Sequence, residues 1–209
     1  GTWTETAKLE RNFLFRGVDP EDNIGISGNT IIAGANESNR AASLYVFARS
    51  ANGDWVQQAN LTGCQTNVEQ RYFGISADIS GETIVIGTRE TRMVHIMTRT
   101  PNGTWSCERL IEHSEDDSSL YFGAAVAIDG DTIVIGDYLS SNTGIYESGA
   151  AYVYERSSGQ NWFQTDRLLA SDVTISDYFG AAVAVRGDKI VVSSIYDDDN
   201  GLSSGSAYL

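Results

Sequence analysis

The sequence is poor in the residues that build zinc centres and nucleic-acid interfaces. Its 209 residues include only two cysteines and two histidines, and these show no zinc-ligand spacing. Twenty-eight acidic residues stand against 14 basic ones, and the net charge of −14 makes nucleic acids and anionic membranes poor partners. No apolar run approaches the ~20 residues of a membrane span. No stretch shows sustained helical periodicity, so helical folds are also excluded.

What the sequence does contain is a long internal repeat. Residues 121–136, Tyr-Phe-Gly-Ala-Ala-Val-Ala-Ile-Asp-Gly-Asp-Thr-Ile-Val-Ile-Gly, return 57 positions later as Tyr-Phe-Gly-Ala-Ala-Val-Ala-Val-Arg-Gly-Asp-Lys-Ile-Val-Val-Ser. A unit that recurs about every 50 residues indicates an array of one supersecondary element. The chain is therefore expected to be one continuous array.

The same register extends over the whole chain. It defines four repeats, at about residues 10–61, 62–111, 112–168 and 169–209, preceded by a strand over residues 1–9. Each repeat has a Phe-Gly pair whose glycine stands seven residues before a turn glycine, except the first, which has Pro20-Glu21 there. Two apolar strands follow the turn, and a tryptophan then opens a fourth segment. These tryptophans are Trp3, Trp55, Trp105 and Trp162.

Each repeat is predicted to form four short strands. The expected two-residue hairpin loops are Ser27-Gly28, Ser80-Gly81, Asp129-Gly130 and Arg186-Gly187. Glycine provides the positive φ that a primed turn requires. The flanking runs are apolar nearly throughout, which is typical of strands buried on both faces, and stacking four-stranded blades around an axis provides that burial. The predicted fold is an all-β propeller, either four-bladed or part of a larger propeller.

Two segments carry a family resemblance. They are Phe-Gly-Ala-Ala-Val-Ala-Ile-Asp-Gly-Asp-Thr-Ile-Val-Ile-Gly at 122–136 and Tyr-Asp-Asp-Asp-Asn-Gly-Leu-Ser-Ser-Gly-Ser-Ala-Tyr at 196–208. Both resemble FG-GAP repeats, the blade motifs related to the N-terminal propeller of integrin α subunits. The resemblance covers nearly the whole chain and implies a propeller with an extracellular role in adhesion, ligand binding or structure. It implies no reaction. Integrin-like rings close with seven blades, whereas this chain has four repeats.

One loop of the fourth repeat concentrates carboxylates. Asp197 and Asp199, with a nearby carbonyl, are the candidate ligands of a calcium ion, and a solvated turn is the alternative reading. An EF-hand is excluded because Tyr208 stands where the bidentate glutamate should be. Integrin-type repeats bind calcium in an expanded hairpin loop. The two-residue hairpins of this chain cannot supply the six to eight oxygens that calcium needs.

Signals for catalysis are weak. Gly201-Leu-Ser-Ser-Gly205 matches the G-x-S-x-G string of hydrolases, but that motif needs a strand-to-helix elbow and a later histidine. Here the string precedes a strand, and both histidines come earlier. His95 is interpreted as a packing residue of a strand and His113 as an isolated loop residue. We therefore expect a protein that is not an enzyme and has no cofactor beyond calcium at one loop.

The recurring aromatic residues are interpreted as structural. The phenylalanine of each Phe-Gly pair is expected to fill space between blades, while its glycine permits close backbone approach. The tryptophans recur in register, which favours packing over ligand contact. Tyr121 and Tyr178 are expected on one rim of the propeller, with no ligand assigned.

Cysteines and sequons bear on localisation. Cys64 and Cys107 fall near opposite ends of the second repeat, where they form either a disulfide, which suits an oxidising compartment, or two buried thiols. Asn36, Asn60 and Asn102 each begin an N-glycosylation sequon, and Asn36 and Asn102 fall in expected inter-strand loops. Together these features favour an extracellular or cell-surface protein.

The residues thus predict a non-enzymatic extracellular propeller for adhesion, protein–protein interaction or structural assembly, including assembly as a filament subunit. Expected partners are other proteins, copies of the same chain, or glycans. The alternatives are a glycan-binding lectin, which needs recurring inter-blade aromatics, and a propeller hydrolase or lyase, which needs converging acid–base groups. The strand expected over Trp3–Leu9 would pair with the last blade of the same chain or of another copy, or the array would continue into further blades.

Overall fold

The computed structural model consists of four antiparallel sheets that follow one another along the chain. It describes residues 2, 4–5, 7–9, 23–36, 42–64, 73–88, 91–113, 119–142, 144–157 and 161–209. Blade 1 contains β1 (Ile24–Ser27), β2 (Thr30–Asn36), β3 (Ala42–Arg49) and β4 (Trp55–Leu61). Blade 2 contains β5 (Phe73–Ser80), β6 (Thr83–Thr88), β7 (Met93–Arg99) and β8 (Trp105–Glu112). Blade 3 contains β9 (Ala125–Asp129), β10 (Thr132–Asp137), β11 (Ala150–Arg156) and β12 (Trp162–Leu168). Blade 4 contains β13 (Phe179–Arg186), β14 (Lys189–Ser194) and β15 (Ser206–Tyr208).

The hairpin that joins the first two strands of each blade lies one residue later than expected. Ser27 pairs with Thr30 and Asp129 pairs with Thr132. The loops are therefore Gly28-Asn29, Gly81-Glu82, Gly130-Asp131 and Gly187-Asp188. Within each loop only the glycine has a positive φ, between 55° and 57°. A primed turn with glycine at its first central position begins at that glycine, so the preceding residue stays in the strand.

Successive blades stack face to face through their apolar strands. We call the side of a blade that meets the preceding blade its front face and the opposite side its back face. Ile79 on the front face of blade 2 clusters with Ile32 and Val46 of blade 1. Ile128 of blade 3 clusters with Val85 of blade 2, in the same arrangement. Every side chain of β6 is buried, because blade 2 is covered on both sides.

Pairs of glycines set the distance between blades. Gly34, Gly87 and Gly136 lie on second strands, opposite the Phe-Gly glycine of the following blade. A Cβ atom on Gly136 would lie 2.1 Å from the Gly180 carbonyl oxygen, and one on Gly87 would lie 1.9 Å from the Gly123 oxygen. The phenylalanines beside these glycines are buried, as expected, with 0–2% of Phe73, Phe122 and Phe179 exposed. Close backbone approach is therefore what requires glycine at these positions.

The two end blades differ from the inner ones. Among the described strands, extensive packing joins blade 1 to blade 2, blade 2 to blade 3 and blade 3 to blade 4, and none joins blade 4 to blade 1. The inner strands of all four blades nevertheless line one central cavity, with Ile24, Asp78, Ala127 and Ala184 among its wall residues. The four blades thus form an arc around a common axis, with one open face at each end. Strands of the end blades alternate in burial, contrary to the prediction of uniformly buried strands.

The strand expected over residues 1–9 is not seen in the described part of the N-terminal segment. Its described residues, 2, 4–5 and 7–9, have no strand conformation, and Trp3 lies outside the described residues, as does Pro20-Glu21. Ala7 and Lys8 lie beside Arg49 and Trp55, where β3 turns into β4 of blade 1. In the described part of the chain, no helix is long and apolar enough to span a membrane.

Candidate functional site

Four tyrosines form a continuous row across the ends of blades 3 and 4. Tyr121 and Tyr178 precede the Phe-Gly pairs of these blades, and Tyr138 and Tyr196 follow their second strands. The ring centroids of Tyr121 and Tyr138 are 4.8 Å apart. Those of Tyr138 and Tyr178 are 5.5 Å apart, and those of Tyr178 and Tyr196 are 5.0 Å apart. These tilted and edge-to-face arrangements are the favourable geometries for aromatic pairs, and Tyr138–Tyr178 is a contact between blades.

A backbone hydrogen bond joins the loops of blades 3 and 4 that carry the tyrosine row. The amide of Ser176, before β13, donates to the carbonyl of Tyr146, between β10 and β11, at 3.1 Å. Glu147, Ser176 and Tyr178 all have positive φ, at 51°, 63° and 59°. Each such residue costs on the order of 1–3 kcal/mol, and strained residues of this kind cluster at ligand-binding sites. The strain here is concentrated at the junction of the two blades.

Glu147 is the polar centre of this junction. Its Oε2 atom accepts hydrogen bonds from the Tyr178 hydroxyl at 3.1 Å and from the Ser176 hydroxyl at 3.4 Å. Burial raises the pKa of Tyr178, and the hydrogen bond to Glu147 raises it further. The hydrogen bond to Glu147 likewise raises the pKa of Tyr146. Both phenols therefore remain protonated donors at neutral pH.

Exposed apolar side chains lie at the same end of blades 3 and 4 as the tyrosine row. They lie on the loops that precede the inner strands and follow the second strands, and these loops share one end of the blades because neighbouring strands are antiparallel. These residues are Leu120, Tyr146, Leu169, Ile175, Ile195, Tyr196 and Leu202, with exposed fractions of 39–92%. Together with the tyrosine row they are called the loop surface. Exposed aliphatic and aromatic side chains in one region are typical of an interaction surface.

A carboxylate cluster lies in the loops of blade 4, near the tyrosine row in sequence. Asp172, Asp197 and Asp199 bring one oxygen each within 4.8 Å of one another. The sequence predicted Asp197 and Asp199 as metal ligands, and the loop after β12 adds Asp172, which was not predicted. The Tyr208 hydroxyl donates to Asp172 at 2.7 Å and to Asp197 at 2.6 Å. Asp197 is buried, whereas the other two aspartates are exposed.

The negative charges of these carboxylates repel one another, and this repulsion affects the pKa of Asp199. The hydrogen bond from Tyr208 lowers the pKa of Asp197. The charges of Asp197 and then Asp172 raise the pKa of Asp199. Burial and the two carboxylates raise the pKa of Tyr208, so its hydroxyl remains a donor. The oxygens suit calcium in type but supply only part of its usual six to eight ligands, and calcium at this loop stays a prediction.

Cys64 and Cys107 form a disulfide with Cα atoms 5.5 Å apart. Cys64 follows β4 on the segment that leads into blade 2, and Cys107 lies on the outer strand β8. The Cys64 amide donates to Nδ1 of His95 at 3.1 Å. His95 is fully buried and packs edge to face on Phe73, with ring centroids 5.2 Å apart, which agrees with its interpretation as a packing residue. Burial lowers the pKa of His95 to about 4.

The three sequons differ in their surroundings. Asn102 is exposed in the β7–β8 turn, and its Oδ1 atom accepts a hydrogen bond from the Thr104 hydroxyl at 2.8 Å. Asn60 is exposed on the outer strand β4. Asn36 is the last residue of β2 rather than a loop residue, and its side chain lies outside the described residues. Glycosylation at these positions remains a prediction.

The remaining candidate residues have structural surroundings. His113 is not isolated, because it stacks on Phe122 with ring centroids 4.8 Å apart and meets the edge of Tyr152 at 5.2 Å. Trp162 is buried, and the Arg156 guanidinium lies 4.5 Å from its ring centroid. The Gly201–Gly205 string lies in the loop before β15 and leads into a strand, so it lacks the strand-to-helix elbow of a hydrolase nucleophile.

Solved structures share this fold. A protein from Lactobacillus plantarum aligns with a TM-score of 0.57 and 8% identity, covering 94% of this chain and 57% of that protein. Sqt1 from Chaetomium thermophilum aligns with a TM-score of 0.53 and 12% identity, covering 87% of this chain and 44% of Sqt1. This chain spans about half the length of the structures it matches. At these identities the likeness shows the β-propeller fold alone, and it confirms the predicted fold class.

No curated protein sequence matches the chain. The FG-GAP repeat family matches it twice, at residues 105–154 and 162–209, which together include blade 3, blade 4 and the outer strand of blade 2. The matched segments contain the Phe-Gly pairs Phe122-Gly123 and Phe179-Gly180, whose buried rings and close glycines form the blade contacts described above. Over residues 105–154 and 162–209 the chain therefore consists of FG-GAP repeats, which confirms the resemblance predicted from the sequence.

Proposed function

We propose that this chain is an extracellular, non-enzymatic propeller that binds other proteins through the loop surface of blades 3 and 4, in adhesion or extracellular assembly. The observation that carries the proposal is the tyrosine row, which shares one end of blades 3 and 4 with exposed apolar side chains such as Ile175 and Leu202, at 68% and 92% exposure. Tyrosine supplies a large apolar contact and a hydroxyl, and it is enriched at protein interfaces. The FG-GAP repeats support a role in protein interaction.

The disulfide supports the extracellular part of the proposal. A bond between Cys64 and exposed Cys107 persists in oxidising compartments and is rare in the cytosol. Protein isolated from its natural source under alkylating conditions should show no free thiol in intact-mass analysis. Two free thiols in that material would contradict the extracellular assignment.

The binding role is tested by removing the apolar part of the loop surface. The triple variant Ile175→Ser, Tyr196→Ser, Leu202→Ser alters side chains that are 47–92% exposed and lie outside the core. The control Val56→Ser, Phe163→Ser alters side chains that are each 54% exposed on the outer strands. Both variants and the wild type would be screened by biolayer interferometry against a panel of extracellular protein domains. We expect binding partners whose affinity falls at least about 10-fold in the triple variant only. Equal losses in both variants, or no partner in the panel, would count against the proposal.

A glycan-binding role is the second candidate, and one observation favours it. The lectin alternative requires aromatic residues between blades, and the Tyr138–Tyr178 contact supplies such a pair. Glu147 would accept hydrogen bonds from sugar hydroxyls there. A glycan array probed with the wild type and with Tyr196→Ser tests it: specific hits that disappear in the variant support the lectin, and an array without hits rejects it.

A further inference from the structure

The front face of blade 1 is built for burial yet is exposed. Front faces of the later blades present pairs of apolar residues from their inner strands. These pairs are Ala77 and Ile79 in blade 2, Val126 and Ile128 in blade 3, and Val183 and Val185 in blade 4. In blades 2 and 3 these residues are at most 8% exposed, because the preceding blade covers them. The corresponding residues of blade 1, Ile24 and Ile26, are 76% and 67% exposed.

The back face of blade 4 is open in the matching way. Central back-face residues of the other blades are fully buried, as Ile32, Val85 and Val134 show at 0% exposure. Their counterpart in blade 4, Val191, is 39% exposed, and Leu209 beyond β15 is 88% exposed. Among the described residues, blade 1 therefore has an uncovered front face and blade 4 an uncovered back face, and these are the two complementary sides of a blade–blade joint.

Two differences between the repeats indicate which front face would pack against the back face of blade 4. A regular blade brings a Phe-Gly pair, and that pair requires glycine on the second strand it meets, as Gly180 requires Gly136. Blade 4 has Ser193 at this position, so a regular Phe-Gly blade would collide with it. Blade 1 is the one repeat with Pro20-Glu21 in place of Phe-Gly. Glycine is thus absent from both positions that would meet if the back face of blade 4 covered the front face of blade 1.

We propose that two copies of this chain associate head to tail, with the back face of blade 4 in each copy covering the front face of blade 1 in the other. Two arcs of four blades would close an eight-bladed ring, which lies within the four to eight blades that propellers use. Closure of the ring would cover both exposed apolar blade faces of each copy. Each joint would pair two different faces and is therefore heterologous, and the two joints would be related by a two-fold axis.

This joint should be weaker than the joints within the chain. In each internal joint the turn glycine donates its amide to the preceding blade. Gly81 bonds to Ser27 Oγ at 3.0 Å, Gly130 to Ser80 Oγ at 3.0 Å and Gly187 to Asp129 Oδ2 at 2.7 Å. Blade 4 has Arg186 at the acceptor position, and a guanidinium cannot accept a hydrogen bond. We therefore expect a dimer that dissociates reversibly on dilution.

Light scattering coupled to size exclusion tests the proposal. The wild type should have a mass of about 45 kDa, twice the 22.7 kDa of one chain, and should approach 22.7 kDa on dilution. Ile26→Lys and Val191→Asp should each give monomers, because each buries an unpaired charge in both joints of a homodimer. Val56→Lys, on an exposed position of β4, is the control and should remain dimeric.

Mixing the two monomeric variants distinguishes head-to-tail association from other contacts. A mixed dimer has one wild-type joint and one joint that pairs the lysine with the aspartate, so the equimolar mixture should recover a mass of about 45 kDa. Association of like faces would not be rescued by mixing. A wild-type monomer at every concentration, a dimer insensitive to Ile26→Lys, absence of rescue, or an open-ended polymer would each overturn the proposal.

Discussion

Replacement of Gly136 by alanine should destabilise the protein, although alanine is the better strand residue. Gly136 has no positive φ, so the backbone accepts alanine, and local entropy alone predicts a gain of about 0.5–1 kcal/mol. The added Cβ atom, however, would lie 2.1 Å from the Gly180 carbonyl oxygen and 3.3 Å from the Ala125 Cβ atom. The nearest atom belongs to the backbone of the next blade, so it moves only if blade 4 shifts as a whole.

Overpacking of this kind costs about 1–3 kcal/mol, and we expect the upper end, near 3 kcal/mol, because a backbone carbonyl cannot rotate away. For a chain of this length that loss lowers Tm by about 6–12 °C. Urea unfolding followed by tryptophan fluorescence measures it, since Trp162 is buried in blade 3. The matched variant is Gly34→Ala, whose Cβ atom would lie 2.8 Å from the Gly74 oxygen, and it should cost about 1 kcal/mol. Equal or increased stability in Gly136→Ala would refute glycine-set blade spacing.

Three further predictions concern the disulfide, pH and calcium. The double variant Cys64→Ser, Cys107→Ser opens a loop with a sequence separation of 43, which should cost about 4 kcal/mol in urea unfolding; a loss below ~1 kcal/mol would contradict the bond. His95 has a pKa of about 4 when folded and 6.5 when unfolded, so the unfolded chain binds the proton first. Stability should therefore fall by about 3 kcal/mol as pH drops from 6.5 to 4, and a His95→Gln variant should lose that part of the pH slope. Any rise in Tm on adding calcium should disappear in Asp199→Asn and persist in Asp131→Ala, which alters the hairpin loop, and the reverse pattern would place the ion in the hairpin.

The repeat made the fold predictable from sequence. Phe73, Phe122 and Phe179 stand at fixed offsets from turn glycines, and the structure buries all three at blade contacts. The second strands, third strands and tryptophan-led outer strands also lie where the register placed them. The one-residue error in the hairpins came from assigning Ser27-Gly28 to the loop. Composition does not reveal whether glycine occupies the first or second central position, whereas strand pairing does.

The candidate site was less predictable because its residues do not recur. Tyr121 and Tyr178 repeat in register and were expected on one rim, but Tyr138 and Tyr196 sit at different offsets from their strands. Their contacts depend on how the loops of neighbouring blades fold together. Asp172 joins the carboxylate cluster from a loop 25 positions before Asp197, a proximity that only the packing of blade 4 creates. The repeat period predicts the strands of the scaffold, whereas sites on the connecting loops do not follow this period and cannot be predicted from it.

The strand expected at residues 1–9 is not seen in the described part of that segment. The sequence showed a tryptophan and a leucine at outer-strand spacing, but Trp3 lies outside the described residues, and spacing alone does not form a strand. Lys8 lies beside Arg49 of blade 1, and the described residues 2, 4–5 and 7–9 have no strand conformation. The association proposed here therefore uses blade faces rather than strand exchange.

Native-state hydrogen exchange tests the stacked-blade account most directly. Strands β6 and β10 are buried on both sides by neighbouring blades, whereas β4 has alternate residues exposed and β12 has four consecutive exposed residues, 163–166. The account predicts that amides of β6 and β10 exchange only through global unfolding, and that amides of β4 and β12 exchange earlier through local opening. If β6 and β10 exchanged as fast as β4 and β12, the blades would not be stacked face to face and the account would be wrong.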